Sequence, residues 1–339
     1  MKKEFILITG GCGYIGSHVV LNLLNLNYSI VILDNFSNSS KKIIERIRKI
    51  SNKSFIIVEG DISNRDILKS IFLKYSIKGV IHLAGLKAVG ESEIYPMRYY
   101  KNNVNGSLIL FEEMEKANVK NLVFSSSASV YGKKKNFIFT EDDSVMPQNV
   151  YGRTKLIIEN ILKDIQKSSK DWSVVILRYF NPIGAHQSGL IGENPFNLPS
   201  NLLPSVTQVA IGKREQLFVF GNNYSTSDGT CKRDYIHVED LAKAHLYALN
   251  YLFKNDISVS IFNIGSGKAY SVLEVIRIFE EVSGIHIPFK IIDRRPGDIS
   301  ECLADPSKAE MILGWKAKLN LRKMCEDAWR WQRQNPNGI

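Results

Sequence analysis

Tyr151 and Lys155 stand four residues apart in Val150-Tyr151-Gly152-Arg153-Thr154-Lys155, where an apolar pattern of helical period begins. A phenol with a reference pKa of about 10 is a weak base at neutral pH. A lysine one turn along the same helix face, roughly 5–6 Å away between Cβ atoms, favours the phenolate and is expected to lower the tyrosine pKa. Bringing the phenol to neutrality takes roughly 4 kcal/mol of electrostatic help. One lysine does not supply all of that, so a second cation, such as an oxidised nicotinamide ring, belongs beside the pair. The chemistry this implies is redox at an alcohol carbon. A second pair at the same spacing, Tyr131 and Lys135, falls in the glycine-broken basic run Val130-Tyr131-Gly132-Lys133-Lys134-Lys135 and reads as a solvated loop.

The elements that must position Tyr151 and Lys155 alternate along the first half of the chain. Apolar runs at 5–9, 29–34, 55–59, 79–83, 121–125 and 174–179 read as buried strands. Between them lie helical patterns at 16–26, 41–50, 66–75, 97–118 and 151–167. This alternation predicts an α/β fold, a Rossmann-like doubly wound parallel sheet. After Asn181-Pro182 a Gly/Pro/Asn-rich stretch runs to about residue 230, and a strand-like run at 258–264 returns to the main sheet. The expected division is a dinucleotide-binding domain of residues 1–180 plus about 235–270, and a smaller mixed α/β substrate-binding lobe of about 181–234 plus 271–339.

Thr9-Gly10-Gly11-Cys12-Gly13-Tyr14-Ile15-Gly16 follows the first strand and opens the first helix. Glycines there permit a tight turn and close approach of backbone to a pyrophosphate, which the unpaired N–H groups of the helix N-terminus would bind. Asp34 ends the second strand, where a carboxylate bonds both ribose hydroxyls and repels a 2′-phosphate, so NAD is expected over NADP. Lys41 and Lys42 lie farther on, facing solvent. Asp61, after the third strand, is placed to meet the adenine.

The chain of 339 residues carries a formal charge of +10 and a pI of about 9.2. The basic residues are scattered, and no aromatic-interleaved basic stripe marks a nucleic-acid surface. Cys12, Cys231, Cys302 and Cys325 show no paired spacing, which argues against a disulfide framework and a zinc site. The start Met1-Lys2-Lys3-Glu4 leaves no room for a signal peptide before the first strand, and no apolar stretch approaches membrane-spanning length. A soluble, cytoplasmic protein is expected.

Taken in order, the glycine loop, Ala84-Gly85, Ser125-Ser126-Ser127 and Tyr151/Lys155 resemble the extended short-chain dehydrogenase/reductase superfamily. Longer strings narrow the resemblance to the UDP-glucose 4-epimerase (UDP-galactose 4-epimerase) family over nearly the whole chain. They are Leu86-Lys87-Ala88-Val89-Gly90-Glu91-Ser92, Arg178-Tyr179-Phe180-Asn181-Pro182, Lys232-Arg233-Asp234-Tyr235-Ile236-His237-Val238, Arg294-Arg295-Pro296-Gly297-Asp298 and the tail from Trp329 to Gly338. The resemblance implies an NAD-dependent isomerase of galactose and nucleotide-sugar metabolism acting through a 4-keto sugar. Tyr151 would take the proton from the sugar 4-hydroxyl, Ser127 would bond the same oxygen, and Lys155 would hold the nicotinamide ribose. It further implies cofactor contacts at Gly10, Gly13, Tyr14, Ile15, Gly16, Asn35, Ser37, Asn38, Ser39, Ile62, Leu83, Ala84, Gly85, Lys87, Asn102 and Phe180. A UDP-hexose substrate would meet Lys87, Asn181, Asn201, Leu202, Arg233 and Arg295 at its diphosphate or sugar, Asp298 at its ribose, and Phe218, Val219 and Phe220 at its uracil. Cys302, where some relatives carry a bulky tyrosine, would leave room for N-acetylhexosamines. Ser129 stands in place of the family's usual threonine.

The resemblance also implies a homodimer built from the 97–118 and 151–167 helices. A UDP-pentose or UDP-glucuronate epimerase would share the cofactor chemistry. A 4,6-dehydratase fits less well, since that group places Thr-Asp-Glu where this chain has Ser126-Ser127-Ala128. A non-catalytic dinucleotide sensor is the alternative of another class, and the presence of both Tyr151 and Lys155 argues against it.

Overall fold

The computed structural model describes residues 3–132, 134, 136–195, 199, 201–255, 258–295 and 298–339. Met1, Lys2, Lys133, Lys135, Pro296 and Gly297 of the strings above lie outside the described residues. Among the described residues the strands are β1 (Glu4–Thr9), β2 (Ile30–Asp34), β3 (Ile56–Glu59), β4 (Ser76–His82), β5 (Asn121–Ser127), β6 (Ile138–Phe139), β7 (Ser173–Tyr179), β8 (Asn181–Ile183), β9 (Leu217–Phe220), β10 (Lys232–His237), β11 (Val259–Ile264), β12 (Ala269–Ser271), β13 (Phe289–Ile292) and β14 (Glu301–Ala304). The helices are α1 (Tyr14–Asn25), α2 (Lys42–Ser51), α3 (Arg65–Lys74), α4 (Val89–Ile94), α5 (Pro96–Tyr99), α6 (Gly106–Lys116), α7 (Val150–Ser168), α8 (Leu202–Ala210), α9 (Val238–Lys254), α10 (Val272–Ser283) and α11 (Leu321–Gln334).

Apolar runs such as Ile6-Leu7-Ile8 and Ile30-Val31-Ile32-Leu33 are buried on both sides, as strands of a parallel sheet covered on two faces must be. The sheet they form is parallel throughout, in the order β11-β7-β5-β4-β1-β2-β3. One face packs under α1, α2 and α9 through Val19, Leu23, Ile47, Leu249 and Phe262. The other packs under α3, α6 and α7 through Leu68, Phe111, Leu162 and Trp172. Chain order reverses between β1 and β4, so a crevice opens beyond their C-terminal ends, where ligands of such sheets bind.

The expected helix over 97–118 is broken. Pro96 opens the short α5, residues Tyr100–Asn105 take a π-helical path, and α6 resumes at Gly106. The cause is Asn103: its side chain accepts from the Leu86 N–H at 2.8 Å and donates to the Leu86 carbonyl at 3.0 Å and to the Thr154 hydroxyl at 3.1 Å. The wider turn turns Asn103 inward and leaves Asn102 facing the crevice.

A second, mixed sheet runs β12-β10-β14-β6, with β8 added against β10, and β9 pairs separately with β13. Together with α8, α10 and α11 these elements enclose their own core of Val206, Val219, Phe279 and Cys325. Among the described residues no helix is long and apolar enough to cross a membrane.

Candidate functional site

A cleft of about 360 Å³ lies at the sheet's reversal point. Its floor is the glycine loop. Gly10 sits at φ +71°, and a Cβ there would lie 2.8 Å from the Ala84 nitrogen; one on Gly16 would lie 2.1 Å from the Gly10 carbonyl oxygen. These two glycines let β1, the β4 exit and α1 converge. Gly13 meets nothing closer than 3.4 Å and caps α1 without a side-chain hydrogen bond. The α1 N-terminus therefore presents free N–H groups to the cleft, a fit for a pyrophosphate.

Asp34 closes one end. Its Oδ2 accepts from the Cys12 N–H at 2.9 Å, and Oδ1 from the Phe36 N–H at 2.9 Å and the Ser39 hydroxyl at 3.1 Å. Burial pushes its carboxyl up, and these bonds only partly offset the shift. Asp61 accepts from the Asn35 amide at 2.6 Å and the Ser63 N–H at 2.8 Å. Burial works against its ionisation, but the bonds from Ser63 and Asn35 prevail and hold it below the usual carboxylate range. Of the expected cofactor residues, all but Phe180 line this cleft; Phe180 is buried behind it against Val130, Tyr131 and Phe139. Lys41 pairs with Glu59 at 2.6 Å, with both side chains exposed.

Tyr151 and Lys155 occupy the opposite end. Asn149 caps α7 by accepting from the Gly152 N–H at 2.7 Å. A Cβ on Gly152 would stand 2.3 Å from the Ser129 carbonyl oxygen, so the first turn of α7 rests directly on the loop that follows β5 and Ser127. Tyr151 is 7% and Lys155 5% exposed, deep enough for burial to govern both. The Lys155 ammonium donates to the Ser125 carbonyl at 2.8 Å and lies 6.0 Å from the Tyr151 ring centre. Burial lowers the lysine to about 8, with the Glu159 carboxylate working against that shift.

The tyrosine departs from expectation. Burial raises the Tyr151 phenol to about 12, and the Ser127 hydroxyl beside it pulls only weakly the other way. The lowering expected from Lys155 is absent, because desolvation of the buried phenolate dominates the shift.

Beneath Lys155 runs a network that sequence reading missed. Arg178 on β7 forks onto Glu159 of α7, with Nη2 at 2.6 Å and Nε at 3.0 Å, and the Ser126 hydroxyl donates to the same carboxylate at 2.5 Å. Tyr131 is buried rather than in a solvated loop; its hydroxyl donates to Asn263 at 2.7 Å and accepts from Arg178 at 3.1 Å. Its expected companion Lys135 lies outside the described residues.

The expected substrate residues divide. Lys87, Tyr151 and Asn201 line the cleft; Ser127, Asn181, Leu202, Phe218, Val219, Phe220, Arg233, Arg295, Asp298 and Cys302 do not. Arg233 pairs with Asp298 and also donates to the Ile299 carbonyl at 2.9 Å. Arg295 stacks its guanidinium 3.9 Å over the Phe220 ring. Along β9, Phe218 is exposed while Val219 turns into the core of the smaller lobe. Cys302, opposite Arg233 in register, packs near Phe180 and Ala304, and burial pushes its thiol up to about 12. Two cleft residues that the sequence reading missed are Cys12 and Glu193. A lone acidic residue in the loop between two expected contact asparagines, Asn181 and Asn201, is the one signal that could have found Glu193.

Comparison with known proteins fits this geometry. A family model described as GDP-mannose 4,6 dehydratase matches residues 7–328. UDP-glucose 4-epimerase of Bacillus subtilis (strain 168) is 53% identical over 333 residues, covering 98% of each chain. The crystal structure of UDP-glucose 4-epimerase from Bifidobacterium longum in complex with NAD+ and UDP matches with a TM-score of 0.95 at 46% identity, over 99% of this chain and 100% of that one. The UDP-Glc/GlcNAc 4-epimerase from Campylobacter jejuni matches with a TM-score of 0.85 at 37% identity, over 98% and 99%. Identity of this size along nearly the full length of both chains has one reading: the chain belongs to the UDP-glucose 4-epimerase family.

Proposed function

We propose that this chain is an NAD-dependent isomerase interconverting UDP-glucose and UDP-galactose. The observation that carries the reading is the burial of Tyr151 and Lys155 together at one end of a cleft whose floor is a glycine loop shaped for a pyrophosphate and whose other end is Asp34. Residues 1–180 with about 235–270 form the cofactor-binding unit in this reading, and the remainder grips the UDP.

Bound NAD would supply a hydride acceptor and, while oxidised, a positive charge beside the phenol. The residues present set what that charge must do. A Tyr151 phenol at about 12 needs about 7 kcal/mol to ionise at pH 7, so it keeps its proton until a cation joins Lys155. Having given up its own proton to solvent when that cation binds, Tyr151 would accept the proton of the sugar 4-hydroxyl, and Ser127 would bond the same oxygen. Lys155, held by the Ser125 carbonyl, fixes the nicotinamide ribose. Asp34 holds the adenosine ribose hydroxyls, and Asp61 the adenine. The sugar must turn between the two half-reactions, so affinity comes from the UDP: Arg233, Arg295, Asn181 and Asn201 meet the diphosphate, Asp298 the ribose, and Phe218 to Phe220 the uracil.

Cys302 stands where some relatives carry a bulky tyrosine, and on that resemblance we assign UDP-GlcNAc and UDP-GalNAc as further substrates. The enzyme is a cytoplasmic homodimer in this reading, paired through α5–α6 and α7; Ile94 and Met97, 69% and 77% exposed, lie beside that face. The test is incubation with UDP-galactose and no added NAD, followed by chromatography of the sugar nucleotides. A UDP-glucose-rich mixture is expected; no conversion even with added NAD would overturn the proposal.

A further inference from the structure

Lys87 and Asn201, expected respectively at both ligands and at the substrate diphosphate, already share a partner. The same Glu193 oxygen, Oε1, receives the Lys87 ammonium at 2.9 Å and the Asn201 amide at 2.8 Å. The Glu193 side chain is only 10% exposed, against 49% for Lys87, so the carboxylate is set into the wall and the lysine reaches in to it. The scaffold holds it there. The Trp331 indole N–H donates to the Glu193 carbonyl at 3.1 Å, and a Cβ on Gly192 would stand 2.5 Å from the Trp331 ring. Gly192 bridges to Ala185, so the chain leading into Glu193 is anchored.

A fixed carboxylate on the wall where a diphosphate is to sit has two consequences. It keeps a cation and an amide oriented while no nucleotide is bound, and it competes with the incoming oxyanion for both. We propose that Glu193 is a positioning residue that stands in for the substrate diphosphate on Lys87 and Asn201, so that UDP-sugar binding is an exchange of one oxyanion for another. The exchange lowers affinity for UDP and speeds release of product. This inference rests on the nucleotide-sugar reading above and adds to it a residue which that reading does not use.

Glu193→Gln keeps the side-chain shape and an acceptor for Asn201 while removing the charge. Calorimetric titration of the NAD-loaded holoenzyme with UDP is expected to show about 5-fold tighter binding, the size of one partly exposed ion pair. KM for UDP-galactose and kcat should fall together, since release slows; a merely structural residue would raise KM. In a Lys87→Met background the same substitution should give less than 2-fold tightening, roughly, because the contested cation is gone. Unchanged or weaker UDP binding by Glu193→Gln, with NAD content intact, would overturn the inference and leave the epimerase reading standing. Failure of the unsubstituted holoenzyme to bind UDP would overturn both.

Discussion

Replacing Arg178 by methionine is the perturbation with the best-defined cost. Arg178 and Glu159 are 1% and 0% exposed, and the guanidinium forks onto the carboxylate at 2.6 and 3.0 Å. At about 3 Å and an effective dielectric of about 20, their attraction is roughly 5 kcal/mol. Removing the arginine leaves a buried carboxylate with only the Ser126 hydroxyl as a strong donor, a loss of about 3–5 kcal/mol. Removing both charges, as Arg178→Met with Glu159→Leu, deletes the uncompensated ion, and the double variant should lie within about 2 kcal/mol of the parent. Urea unfolding at fixed protein and NAD concentration measures the four corners of the cycle. A single-variant loss below about 1 kcal/mol, or a double variant as unstable as the two singles added, would refute the reasoning. Because Glu159 stands one turn beyond Lys155 on α7 and opposes the burial-driven loss of its charge, the double variant should also lose activity while remaining folded.

Gly16→Ala places a Cβ 2.1 Å from the Gly10 carbonyl oxygen, so the purified variant should carry little NAD; full occupancy by absorbance would contradict the loop's role. Tyr151→Phe should retain NAD and lose activity by about 10²–10⁴-fold, checked by initial rates with UDP-galactose. Asp327 on α11 is pushed up by burial but pulled below that by bonds from His237, Lys323 and Arg330, to about 2. A carboxylate with a depressed pKa stabilises the fold above its unfolded value, near 4, and loses that contribution as pH falls toward 2. Asp327→Asn should therefore flatten the acid limb of the stability curve by about 2 kcal/mol, and an unchanged limb in acid titration would refute the assignment. UDP-GlcNAc should be turned over at a rate within tenfold, roughly, of UDP-glucose; inertness in the same chromatographic assay would sink the Cys302 argument.

The parallel sheet and the glycine loop were legible because both are local. Apolar runs such as Ile30-Val31-Ile32-Leu33 name their own burial, and the loop between β1 and α1 is fixed within a dozen residues. What sequence reading missed depends on partners distant along the chain. The π-helical turn at Tyr100–Asn105 exists because Asn103 is tied to Leu86 and Thr154. Tyr131 looked solvated beside its lysines, yet Asn263 and Arg178 hold its hydroxyl inside. The rise of the Tyr151 phenol follows from burial, which a four-residue spacing does not reveal. Glu193 lies in a loop without periodicity, and only the fold brings it to Lys87.

The most direct test of the account uses UDP-galactose carrying deuterium at C4 of the sugar, incubated with the enzyme as purified, with mass and NMR analysis of the product. The account predicts UDP-glucose with the label retained at C4, and no such product from Tyr151→Phe on the same time scale. Label lost to solvent, or transfer that requires added NAD, would contradict a hydride cycle run on a retained cofactor at Tyr151 and Lys155.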